Sequence, residues 1–357
     1  MEYTRLGSSG LYVSRLALGT IPFGTGGGME KIDGVDGKDA ERQLDTALEH
    51  GVNFLDTANI YSGGDAERVL GEVLGTRRDR FVLTSKARTA TGDGPNDAGA
   101  GRYHLTRAVE DSLTRLKTDH LDLLYLHQWD GQTPIIETIA TANELIRAGK
   151  IRYWGVSNYN GWQLAKTVYE AQLAGLEGPI SHQTYYTPEA REVEYEIIPA
   201  ARDLGLATFG WSPLGEGLLS GQVRRGRPTS PDTRQGTDWP EPHVVDRERA
   251  YDLIDLFDEI ARGLGWSLPQ VVISWILTRP GVNGTVVAAR RHEHLVEDLE
   301  AAELTLPDDA RDRITAASQL PAYYPVWHRL LNGQDRPEPA EAEFYAEHQR
   351  ALDAAGS

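Results

Sequence analysis

Phe54-Leu55-Asp56-Thr57-Ala58-Asn59-Ile60-Tyr61 reads as the end of a short buried strand followed by a polar exit. Asp56 closes an apolar run that includes Val52, Phe54 and Leu55, which puts a carboxylate at the strand's carboxyl end. A carboxylate there is costly unless a cation pairs with it. The next apolar run, Phe81-Val82-Leu83-Thr84-Ser85-Lys86, ends in such a cation. The run after that, Leu121-Asp122-Leu123-Leu124-Tyr125-Leu126-His127, ends in a histidine. Three successive strands therefore close on Asp, Lys and His, with Tyr61 on a neighbouring loop.

Outward from this stretch the chain alternates without a break. A hairpin is expected over residues 3–13, then a buried strand over 15–20. Ala40, Leu44, Ala47 and Leu48 share one helix face. Helices are also expected over 65–74, around Val109, Leu113 and Leu116, and over 134–148, 161–174 and 193–204. Strands are expected over 151–157, 180–184 and 206–211. After a loop over 215–245, too long to be a plain connection and so read as a lid or binding loop, come helices over 247–262 and 267–278. A strand over 284–288 and a helix over 292–301 complete the alternation. Eight strands alternating with helices point to a (β/α)8 barrel, whose strands converge on one mouth. The strand ends read Thr20, Asp56, Lys86, His127, Ser157-Asn158, Gln183, Trp211-Ser212 and Arg290. An open doubly wound sheet is disfavoured. The glycine-rich stretch 24–37 has Met29 and Lys31 where a dinucleotide fingerprint needs glycine, so it is read as a mobile loop.

Composition sets further bounds. With 36 basic and 53 acidic residues the net charge is −17, which argues against a nucleic-acid surface. The chain has no cysteine, which excludes thiolate chemistry and disulfides. No basic, apolar leader opens it, and no apolar run approaches the roughly 18 residues of a membrane span. A cytoplasmic protein with small-molecule partners is expected. His292 and His294 lie two apart on a helix and point different ways, so no metal site is expected. Residues 1–327 are read as the barrel and 328–357 as an extension. Within this C-terminal region 320–327 is expected to pack over the barrel and 333–340 to act as a linker. Phe344, His348 and Leu352 are expected on one face of a last helix, for docking or for pairing with another chain.

A tyrosine serves as a proton donor when a nearby ammonium stabilises the phenolate it leaves, and an aspartate holds that ammonium in place. A neutral histidine can position a carbonyl oxygen. Asp56, Tyr61, Lys86 and His127 supply these parts, and the reaction they suit is carbonyl reduction with a hydride cofactor. Trp211 is a candidate to stack on a nicotinamide, and Ser157, Asn158 and Gln183 to bind its carboxamide. Phe23 and Trp129 are candidate substrate contacts, though packed aromatics are common in cores. An Asp–Lys pair at strand ends is by itself more often structural than catalytic; the four residues together carry the reading.

Over residues 3–327 the chain resembles the aldo-keto reductases. The resemblance rests on Phe54-Leu55-Asp56-Thr57-Ala58-x-x-Tyr61, Thr84-Ser85-Lys86, Ser112-Leu113-x-Arg115-Leu116-x-x-Asp119-x-x-Asp122-Leu123-x-x-Leu126-His127, Gly149-Lys150-Ile151-Arg152-x-x-Gly155-Val156-Ser157-Asn158 and Trp211-Ser212-Pro213-Leu214 before Gly217. It implies a (β/α)8 barrel with a bottom hairpin, an oxidoreductase acting on aldehydes, ketones or alcohols, and a catalytic tetrad of Asp56, Tyr61, Lys86 and His127. It implies NADP(H) rather than NAD(H), with Thr20, Asp56, Ser157, Asn158, Gln183, Trp211, Ser212, Leu214, Gly217, Arg290, His294 and Asp298 as the cofactor contacts. Ser181-His182-Gln183, Arg191 and Glu194 resemble branches acting on aryl alcohols or keto-sugars. In the last βα unit the chain departs from the bacterial pattern: Ala288-Ala289-Arg290 precedes His294 and Asp298, where the pattern has Gln and Asn. Asp298 is expected to bring a negative charge to the adenine end, while Arg290 or Arg291 can hold a 2′-phosphate. The family resemblance also admits a cofactor-binding regulatory subunit, similar to potassium-channel β subunits.

Overall fold

A computed structural model describes residues 1–230, 233–238, 242–333 and 335–356. Strands β1 (Tyr3–Arg5) and β2 (Tyr12–Ser14) form an antiparallel hairpin. The remaining strands are β3 (Leu16–Gly19), β4 (Phe54–Asp56), β5 (Val82–Ala87), β6 (Leu121–Leu126), β7 (Ile151–Ser157), β8 (Ser181–Tyr185), β9 (Ala207–Trp211) and β10 (Gly284–Val287). They close into one parallel barrel in the order β10-β3-β4-β5-β6-β7-β8-β9, with helices between them. This is the (β/α)8 barrel with an N-terminal hairpin that the strand spacing predicts.

The barrel interior is filled by side chains. Ala17, Phe54, Leu123, Tyr125, Ala207, Phe209 and Val286 pack together, with Phe54 edge-on to Phe209 at 5.2 Å. The hairpin closes the bottom by adding Leu6 and Val13 to the same cluster. Register then decides what reaches the top. Asp56 pairs with Thr84 and Lys86 with Tyr125, and the His127 amide bonds the Ala87 carbonyl at 2.9 Å. Because strand side chains alternate, Thr84 and Lys86 share a face.

The helix expected over 193–204 is broken. A 3-10 turn covers Glu192–Glu194 and the α-helix begins only at Ile197, ending at Asp203. Pro199 explains the late start, because a missing N–H and a fixed φ are tolerated in a helix's first turn and not in its interior.

The C-terminal region differs from expectation in part. Tyr323 and Tyr324 are exposed, and it is Val326 and Leu330 of the short helix Val326–Asn332 that sink inward. The helix Ala342–Gly356 does dock on the barrel. Phe344 joins the core cluster around Phe257 and Trp275, and His348 is buried. Leu352 lies outside the described side chains. Glu347 accepts from Arg191 at 2.8 Å and from Arg279 at 2.7 Å, and both guanidiniums also pair with buried Glu194 and lie over the ring of Trp275. Such a charged cluster tolerates burial because each charge is paired and hydrogen-bonded.

Candidate active site

Asp56, Tyr61, Lys86 and His127 meet at the carboxyl ends of β4, β5 and β6. Lys86 Nζ lies 2.5 Å from Asp56 Oδ2, 3.0 Å from the Thr57 carbonyl and 3.1 Å from the Tyr61 hydroxyl. Burial works against the Lys86 charge, but the charge of Asp56 and the oxygen of Tyr61 outweigh it, so the pKa is raised and the ammonium persists. The other Asp56 oxygen accepts from Gln183 Nε2 at 2.8 Å and Thr84 Oγ1 at 3.4 Å. Since a carboxylate only accepts, the Gln183 amide is fixed with its nitrogen toward Asp56. The His127 ring stands edge-on to Tyr61 at 6.0 Å. Burial first, then the charges of Lys86 and Arg88, push its pKa down to about 3, so the imidazole is neutral. Its Nδ1 is buried without a hydrogen-bond partner.

These groups open on a cavity of about 1200 Å³. Asp56, Tyr61, His127, Ser157, Asn158 and Gln183 are among its lining residues. Trp211, Ser212, Leu214 and Gly217 line it too, as do Arg290, Arg291, His294, Glu297 and Asp298. Ser157 Oγ donates to the Gln183 carbonyl at 2.9 Å. Asn158 donates to the His127 carbonyl and accepts from Trp211 Nε1, each at 3.0 Å, so its amide ties three strand ends together. Arg291 contacts the His294 ring.

Other candidates sit elsewhere. Thr20 is buried and does not line the cavity; its hydroxyl donates to the Asp56 carbonyl at 3.2 Å. Phe23 is wholly buried in the core, held by a bridge to Val35. Trp129 packs edge-on to Tyr159 at 5.1 Å and Trp162 at 5.5 Å, beside the cavity and not among its lining residues. The charge expected of Asp298 needs correction. The side chain is buried, and burial, aided by the charge of Glu297, pushes its carboxyl well above the ordinary range. Burial therefore disfavours the charge expected there.

The cavity also contains groups that sequence patterns did not single out. Met29, Glu30, Lys31 and Asp33 come from the loop 24–37. This loop is brought against the turn after Tyr61 by Gly27, where a Cβ would lie 2.3 Å from the Gly63 nitrogen. Asp33 accepts from Gly26 N at 2.8 Å and Ser62 Oγ at 3.3 Å. Across the cavity Glu216 pairs with Ser212 and Arg234, and Lys31 pairs with Asp238, so the long loop is fastened on both sides. No periodicity marks the individual loop residues; only the length of 215–245 signals a binding loop. No residue of 91–103 or 320–357 lines the cavity among the described residues, whereas residues of 24–38 and 215–245 do. No group of three His, Cys, Asp or Glu suited to a metal occurs among the described residues, and none of their helices is long and apolar enough to cross a membrane.

A closed parallel barrel carries Asp, Tyr, Lys and His at its mouth, and the family whose profile it matches is one of oxidoreductases. The profile of the Aldo/keto reductase family matches residues 15–319, and the chain belongs to that family. It is 37% identical over 317 residues to the uncharacterized oxidoreductase YrpG of Bacillus subtilis (strain 168), covering 86% of this chain and 92% of that one. It is also similar to probable voltage-gated potassium channel β subunits. That of Arabidopsis thaliana is 34% identical, over 85% of this chain and 92% of its own. That of Oryza sativa subsp. japonica is 33% identical, over 89% of this chain and 97% of its own.

Proposed function

We propose that the chain is an NADP(H)-dependent reductase of aldehydes or ketones, able to run in reverse on the alcohol, with Tyr61 as the proton donor. The observation that carries this reading is Lys86 Nζ held between Asp56 at 2.5 Å and the Tyr61 hydroxyl at 3.1 Å. As the proton leaves Tyr61 for the carbonyl oxygen, negative charge grows on the phenol oxygen. A preorganised ammonium at that distance offsets it without reorganisation. Asp56 keeps the ammonium charged and aimed. Neutral His127 offers a ring nitrogen to hold the carbonyl oxygen without competing for the proton.

The donor set along the cavity suits NADP(H). Ser157, Asn158 and Gln183 would hold the carboxamide end and Trp211 the ring. Ser212, Leu214 and Gly217 would follow the pyrophosphate, and Arg290 or Arg291 would take the 2′-phosphate. The upward shift of the Asp298 carboxyl lessens repulsion there. When bound, the cofactor supplies or accepts the hydride.

The test is NADPH consumption over a panel of aldehydes and ketones, with Tyr61→Phe as control. Turnover lost in Tyr61→Phe, with NADPH binding kept, supports the reading; equal turnover by both proteins ends it. The resemblance to channel β subunits favours a second reading, a nicotinamide-binding regulatory barrel. That reading predicts turnover near background and a stable protein partner in pull-downs.

A further inference from the structure

Tyr61 opens the turn Tyr61–Gly64, and the residue after it, Ser62, sits in the left-handed region with φ 48° and ψ 40°. Gly63 and Gly64 follow it there with φ of 62° and 89°. That conformation costs glycine little and crowds the Cβ of any other residue. A serine persists in it when its surroundings over-determine it, and here they do. Ser62 is buried. Its Oγ faces the Phe23 carbonyl at 3.0 Å and Asp33 Oδ2 at 3.3 Å, and its amide donates to Met29 Sδ at 3.1 Å. The same Asp33 oxygen accepts from Gly26 N at 2.8 Å. Just beyond the turn, Asp65 Oδ2 accepts from Thr25 N at 3.0 Å, and a Cβ on Gly24 would lie 2.6 Å from that oxygen. The segment 23–33 is thus seated without slack on the residues that follow Tyr61. Met29, Asp33, Ile60 and Tyr61 line the cavity, whereas Ser62 does not, so Ser62 can reach the reaction only through its neighbours. Lys86 holds Tyr61 at its hydroxyl, 3.1 Å away; Ser62 fixes the backbone that carries the ring. A phenol that delivers a proton depends on that placement, because a shift of about 1 Å in a reacting group costs about a hundredfold in rate.

We propose that Ser62 is a positioning residue for the proton donor: its hydroxyl, with Asp33 as partner, fixes the left-handed turn on the loop 24–37 and so sets where the Tyr61 hydroxyl meets the substrate. This rests on the reading of Tyr61 as proton donor.

The experiment follows NADPH oxidation with 4-nitrobenzaldehyde in the full chain and its variants. Ser62→Ala should lower kcat about ten- to a hundredfold, with the aldehyde KM and the NADPH Kd within about twofold of wild type. In a Tyr61→Phe background the same change should cost less than about twofold, because a residue that acts through the Tyr61 hydroxyl has nothing left to position. Asp33→Ala should lower kcat about tenfold, and Asp33→Asn should restore it, since one amide oxygen can accept from both Gly26 N and Ser62 Oγ. Wild-type kcat in Ser62→Ala, a loss taken mainly in KM, an undiminished loss in the Tyr61→Phe background, or Asp33→Asn as slow as Asp33→Ala would each overturn the proposal. Should Ser62→Ala not fold, Ser62→Gly, whose backbone tolerates the left-handed turn, takes the same measurements and the same criteria. Tyr61→Phe inactive beside Ser62→Ala at wild-type kcat removes the positioning role and leaves Tyr61 as the donor. Equal turnover by wild type and Tyr61→Phe, including none by either, removes both.

Discussion

Gln183 reaches directly across the barrel to Asp56: its Nε2 donates to Oδ1 at 2.8 Å, from β8 to β4, four strands apart in a ring of eight. Lys86 holds the opposite oxygen, so the carboxylate is bound from both sides in a nearly dry site. Removing its charge should leave a buried, uncompensated ammonium. Asp56→Asn is expected to cost about 3–5 kcal/mol in denaturant unfolding, and Asp56→Asn with Lys86→Met should recover most of that stability with no activity. A double variant as unstable as the sum of the singles would show that the pair is not coupled as described.

Tyr61→Phe keeps the ring that stands against His127 and removes only the hydroxyl. Carbonyl reduction should fall by about 10²–10⁴, the usual worth of a positioned acid, while the unfolding midpoint changes little. Rates and denaturant melts on the same preparations check this.

His182 is fully buried, and burial lowers its pKa to about 3 from an ordinary 6.5. Between those values the unfolded chain binds a proton that the folded one refuses, so this group's contribution makes stability fall as pH drops from about 6.5 toward 3. Asp298 and Glu189, whose carboxyls are raised by burial, pull the opposite way over part of that range. The readout is therefore the difference between wild type and His182→Gln. It should change by up to about 1.4 kcal/mol per pH unit between pH 4 and 6 in urea unfolding. A flat difference would mean that His182 titrates normally in the fold.

Asp298→Asn should act with the other sign. The folded chain holds the Asp298 proton to higher pH than the unfolded chain, which ionises it above its ordinary 3.8, so wild type loses stability as pH rises past that point. The amide has no proton to lose. Asp298→Asn should be close to wild type at pH 4 and more stable at pH 8, as measured by guanidinium unfolding at both.

Arg290→Ala and Arg291→Ala should separate the two nicotinamide cofactors. Loss of a charge-assisted contact to a 2′-phosphate weakens NADPH binding by about tenfold or more and leaves NADH binding unchanged. Fluorescence titration with each cofactor measures both. Equal effects on the two would remove the 2′-phosphate role.

The barrel and the meeting of Asp56, Lys86 and His127 were legible because both depend on local pattern. Apolar runs of strand length between amphipathic helices allow few arrangements, and a polar residue closing each run must arrive at the common mouth. Tyr61 followed from its spacing after Asp56. What the sequence left open was burial, which sums contributions from distant segments. Phe23 and Trp129 carry no local mark that distinguishes a packed ring from an exposed one. The tertiary structure buries Phe23 behind the bridge to Val35 and sets Trp129 against Tyr159 and Trp162. Asp298 reads as a charge in one dimension, and its carboxyl is pushed upward only when the surrounding elements exclude water. The pairing of Lys31 with Asp238 joins groups whose separation along the chain is unrelated to their separation in space. Periodicity and strand ends thus determined the fold and the four groups at its mouth. Solvent exclusion and long-range pairing, which exist only once the chain has closed, decided their charge states and what else lines the cavity.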